Sequence, residues 1–150
     1  MSAPATVQTI RLSICSTPRH LRVVRAAVDA LCEILGFDEP SRTQVVLSVD
    51  EAITNVIRHA YHGAEDQPIE VELAALDASP GPGLRIRIRD HGRRVDPGQI
   101  QSRDLDDIRP GGLGVHIIRE SMDHVEYEPA EGGGTVLTMV KRLRKAEGVT

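Results

Sequence analysis

Glu51, Asn55 and His59 recur at every fourth position, and downstream of them come Asp90-His91-Gly92 and Gly111-Gly112-Leu113-Gly114. On an α-helix this spacing drifts by only about 40° per step, so a carboxylate, a carboxamide and an imidazole share one face. A helix packed all round in a core would not carry polar groups along that stripe. With an acid at the end of an alternating stretch, the three segments together describe an ATP site.

The elements that must hold these residues can be read from periodicity. Thr9 to Ile14 alternates apolar and polar residues as a half-buried strand does, and Ser16-Thr17-Pro18 reads as the cap of a first helix. Leu21, Val24, Val28, Leu31 and Leu35 form its apolar stripe, and Gly36 ends it. Asp38-Glu39-Pro40-Ser41 opens a second helix, which carries the Glu51–Asn55–His59 face and stops near Tyr61 to Gly63. Ile69 to Leu73 and Leu84 to Asp90 alternate strictly around a Pro- and Gly-rich turn, the pattern of an antiparallel hairpin. Residues 92–112 show no apolar period and read as a long functional loop. A helix over 114–122 and strands over 124–128 and 135–142 complete the order β-α-α-β-β-loop-α-β-β. That order predicts an α+β sandwich, with helices covering one face of a mixed, mainly antiparallel sheet.

Composition narrows the function classes. One soluble domain over 1–150, with its core at about 9–142, accounts for 150 residues of which 40% are hydrophobic and 27% charged. The aromatic residues are Phe37, Tyr61 and Tyr127 only, so base stacking is not available. A net charge of −4 and scattered arginines argue against direct nucleic-acid binding. No apolar run approaches the roughly 20 residues of a membrane span. Cys15 and Cys32 lie far apart with no secretory leader before them, which points to the cytoplasm. The histidines lack the spacing of a zinc site.

Four segments in this order resemble the ATP-binding fold shared by gyrases, heat-shock chaperone ATPases and sensor histidine kinases. Within it, the chain is most similar to the bacterial anti-sigma-factor serine kinases. The likeness rests on Glu51 to Tyr61, Asp90-His91-Gly92-Arg93, Arg109 to Ile118 and Gly133-Gly134-Thr135, and it spans about residues 9–142. It implies that Asn55 would coordinate a magnesium ion on the ATP phosphates and that Glu51 would take the proton of a protein serine. Asp90, in a turn with Gly92, would accept a hydrogen bond from the adenine amino group, helped by Thr135. Gly111, Gly112, Leu113, Gly114 and Val115 would surround the phosphates, with His116 reaching them from the helix and His59 completing the polar face. Arg109, on a lid, would stabilise charge on the transferring group. The superfamily usually reads Asp-x-Gly-x-Gly, and here Arg94 replaces the second glycine.

The resemblance implies a protein that sequesters a sigma factor and phosphorylates a serine or threonine of an anti-anti-sigma antagonist, with ATP and Mg2+ as cofactors and a homodimer as its assembly. Two alternatives stay open. One is a non-catalytic, nucleotide-dependent partner-switching module, consistent with Arg94. The other is a catalytic ATP-binding domain that acts with a separate histidine phosphotransfer protein, since residues 1–40 contain no helix pair bearing an acceptor histidine.

Overall fold

The computed structural model describes residues 9–77, 81–92 and 110–144, and of 110–115 the backbone only. Strand β1 (Thr9–Cys15) leads into helices α1 (Pro18–Leu35) and α2 (Glu39–Asn55). Strands β2 (Pro68–Leu76) and β3 (Gly83–Asp90) follow, then α3 (Pro110–Ser121), β4 (His124–Pro129) and β5 (Thr135–Arg142). The five strands form one sheet in the order β1-β2-β3-β5-β4. Every pairing is antiparallel, so the described strands include no parallel pair of the kind a mixed sheet would hold.

Register aligns the apolar positions into rows across the sheet. Leu12 faces Val71, Val71 faces Ile88, Ile88 faces Leu137 and Leu137 faces Tyr127. These side chains meet Val24, Val28, Val45, Val49, Ile53 and Ile118 from the helices, all buried in a single aliphatic core. Burying each such side chain contributes about 1.5–3 kcal/mol, and this is what fixes the strand phase. The opposite face is charged. Glu72 bridges Arg11 and Arg85 at 3.4 Å each, and Arg87 is exposed. These solvated pairs contribute little to stability.

Local chemistry sets the helix ends. Asp38 caps α2 by accepting from the Ser41 N–H at 2.9 Å, and Gly36 closes α1 in the left-handed conformation at φ 94°. Ser16 and Thr17 do not cap α1 with a side chain. Instead Ser16, fully buried, donates to the Ala64 carbonyl at 2.6 Å and accepts from the Gln67 N–H at 3.0 Å, tying β1 to the turn before β2. Beyond Asn55 the second helix widens into a π turn over Val56–Ala60, closed by Tyr61 N–H donating to the Val56 carbonyl five residues back. Cys32, buried beside Asp29, has its thiol pushed up to about 12, chiefly by desolvation, so it is inert as a nucleophile at neutral pH. No described helix is long and apolar enough to cross a membrane.

Candidate nucleotide site

The alternation Leu84-Arg85-Ile86-Arg87-Ile88-Arg89-Asp90 puts Asp90 in phase with the buried isoleucines, so a carboxylate ends an otherwise apolar row at 4% exposure. Two backbone N–H groups support it, from Gly92 at 3.0 Å and from Thr135 at the start of β5. Burial raises its pKa, and those two hydrogen bonds pull it partly back. Each carboxylate oxygen has two lone pairs, so capacity remains for a donor on a ligand.

Close backbone approach explains the glycines around this acid. A Cβ on Gly92 would lie 2.8 Å from the Ala60 carbonyl oxygen, and one on Gly134, where φ is 84°, would overlap the Asp90 carbonyl oxygen. Only glycine lets the β4–β5 turn and the end of the π turn press on the Asp90-His91-Gly92 segment from both sides. Tyr61 locks the same segment. Its buried hydroxyl accepts from the His91 N–H at 2.7 Å and donates to the Pro68 carbonyl at 2.5 Å, while the His91 ring bonds Glu70 at 2.9 Å. Tyr61→Phe leaves both backbone groups without their partner, so it lowers stability by about 1–3 kcal/mol, read as a lower denaturation midpoint at unchanged m.

Glu51 and Asn55 lie one turn apart on α2, both half-buried. The Asn55 Oδ1 is buried and has no hydrogen-bond partner among the described residues. A buried acceptor left in that state costs about 1–3 kcal/mol, and it keeps the capacity to take a donor or a cation. A neutral carboxamide oxygen is also the hard donor that magnesium takes, so this position fits that ion. The step from Asn55 to His59 is different. It runs through the π turn, whose hydrogen bonds span five residues, so the α-helical spacing that aligned His59 does not hold there and His59 is exposed.

Helix α3 starts at Pro110, four residues before the expected position. Gly111, Gly112, Leu113, Gly114 and Val115 therefore sit in the first turns of the helix rather than in the loop before it. Pro at the first position loses no hydrogen bond, and the N–H groups of the next residues are the unsatisfied donors of a helix start. Those donors suit an anion. His116 is exposed on the second turn, while α3 packs along α2 and buries Ile118 fully in the core. Arg93, Arg94 and Arg109 lie outside the described residues.

The structure thus joins Asp90, Gly92 and Thr135 in direct contact and sets the end of the Asn55 helix against them. The sequence did not reveal the Tyr61 bond or the close approach of Gly134. A buried tyrosine hydroxyl needs a partner, which was the signal available for the first. A hollow of about 530 Å3 between the start of α1 and the π turn, lined by Pro18, Leu21, Thr54, Ile57, Arg58, His62 and Gly63, contains none of the site residues and no carboxylate.

A protein-family model described as a histidine kinase-like ATPase domain matches residues 14–141. The serine-protein kinase RsbW of Listeria innocua is 29% identical over 147 residues, covering 92% of this chain and 90% of that protein. RsbW of Halalkalibacterium halodurans is 28% identical, covering 93% of this chain and 86% of its own length. Among solved structures, the RsbU and RsbW domains of Rv1364c from Mycobacterium tuberculosis superpose at a TM-score of 0.63 and 22% identity, over 95% of this chain and 34% of that one. The SiaB–SiaC complex of Pseudomonas aeruginosa superposes at 0.65 and 15% identity, over 87% of this chain and 88% of that one. At these identities the structural matches speak to the fold.

Proposed function

Because the chain belongs to the histidine kinase-like ATPase domain family, we propose that it binds ATP with magnesium and transfers the γ-phosphoryl group to a serine or threonine of an anti-anti-sigma antagonist protein, holding a sigma factor in its other state. The observation that carries this reading is the buried, unpartnered Asn55 Oδ1, one turn from Glu51 on a helix whose end abuts the Asp90 turn. Asn55 would hold the magnesium, which neutralises phosphate charge when bound. Asp90 accepts from the adenine amino group, and the first turn of α3 receives the phosphates. In the transfer step the hydroxyl oxygen of the antagonist bonds to the γ-phosphorus, the bond to the β–γ bridging oxygen breaks and ADP leaves. Glu51 takes the hydroxyl proton. Association with a second copy along the β1 edge belongs to the same proposal.

The test is to mix the protein with labelled ATP, magnesium and candidate antagonist proteins. Label on the antagonist that survives acid and is lost in alkali is the expected result, since phosphoserine and phosphothreonine behave in this way. The opposite lability would assign a phosphohistidine. Sequestration without any label would leave a non-catalytic switch.

A further inference from the structure

Lys141 is a buried lysine, 8% exposed, at the far end of β5 from the nucleotide site. The β5 alternation that points Thr135, Leu137 and Met139 toward the helices carries Lys141 inward with them. Its ammonium donates to the Ser121 carbonyl at 2.5 Å and to Gln44 Oε1 on α2 at 3.1 Å. Ser121 is the last residue of α3 and is itself buried. A cation here meets a helix C-terminus, where the macrodipole favours it and the last carbonyls lack intrahelical partners. The chain leaving α3 is bonded to the same strand again, by Asp123 N–H to the Val140 carbonyl at 2.9 Å.

The two ends of this arrangement are linked. Helix α3 begins with the glycines offered to the phosphates and its last carbonyl meets Lys141, while β5 begins with Thr135 beside Asp90 and carries Lys141 one residue before its end. Over its 12 residues the helix is a rod of about 18 Å. A slide at its C-terminus is therefore carried to its N-terminus. We infer that Lys141 is a positioning residue for the phosphate end of the site: by clamping the last turn of α3 to α2 and β5, it fixes the axial placement of the N–H groups at the first turn. This rests on the nucleotide reading above.

Lys141→Met keeps the length and apolar stem of the side chain and removes the ammonium. Isothermal titration of wild type and variant with MgATP, and NMR titration with adenosine, separate the phosphate end from the base end. ATP affinity should fall about tenfold as the first-turn N–H groups lose their alignment on the phosphates, while adenosine affinity stays within roughly twofold. Equal losses for the two ligands would mean a merely structural lysine, and no change in either would also overturn the inference. Failure of the wild type to bind ATP would instead sink the nucleotide reading and this one with it. Should the variant not fold, hydrogen exchange on the wild-type chain decides. ATP, and not adenosine, should slow exchange of the amides of residues 118–122, and unchanged exchange there would overturn the clamp.

Discussion

Asp90→Asn removes ATP binding and at the same time removes a pH dependence of stability. A charge-assisted hydrogen bond to the adenine amino group contributes about 1.5–3 kcal/mol, a factor of roughly 10 to 150 in affinity. A carboxamide can also turn its NH2 toward the adenine NH2, leaving two donors face to face in a buried site. The expected loss in a MgATP titration is therefore at least a hundredfold. Stability follows a separate logic. Desolvation raises the Asp90 pKa in the fold, against the opposing hydrogen bonds from Gly92 and Thr135. A group with a raised folded pKa binds its proton more tightly in the native state. Its contribution to stability is fully present below the unfolded carboxylate pKa and is lost as pH rises through the folded value. The stability of wild type minus that of the variant should accordingly decrease from acid to neutral pH in paired denaturation curves. Unaltered ATP affinity would remove Asp90 from the site, and a flat stability difference would show that its charge is not buried in solution.

Much of this site was legible because sheet phase is a simple quantity. The alternation from Leu84 to Asp90 forces the acid inward with Ile86 and Ile88, and the structure buries all three. The caps at Asp38 and Gly36 were equally local, each decided by one side chain or one left-handed residue. Long-range partners were hidden. Ser16-Thr17-Pro18 has the composition of a helix start, yet the Ser16 hydroxyl is taken by Ala64 and Gln67, which come near only after the sheet has formed. Pro110 and three glycines resemble a loop, since each glycine costs a helix about 1 kcal/mol, yet the helix begins at Pro110, whose missing N–H costs nothing at a first helical position. Nothing in Val56–Ala60 calls for a π turn by residue type. Its end lies against Gly92, where the Ala60 carbonyl allows no Cβ, a contact that residue types in the helix do not announce.

Glu51→Gln should separate binding from chemistry. The substitution keeps the shape and hydrogen-bonding reach of the side chain on α2 while removing its ability to accept a proton. Positioned general-base catalysis accounts for about 10²–10⁴-fold in rate, and transfer of label to the antagonist should fall by that factor in single-turnover measurements. MgATP affinity should stay within roughly threefold, because the affinity is assigned to Asp90, Asn55 and the first turn of α3, and removing a charge near the phosphates slightly favours the anion. Partner sequestration should persist for the same reason. The variant then becomes a switch held in its ATP state, able to load nucleotide and slow to pass on the γ-phosphoryl group. An unchanged transfer rate would place the base elsewhere. A variant that loses ATP along with transfer would make Glu51 part of the scaffold around Asn55. The decisive case is a loss of transfer with binding intact, since a group that acts only in the transition state lowers the rate without touching the ground state.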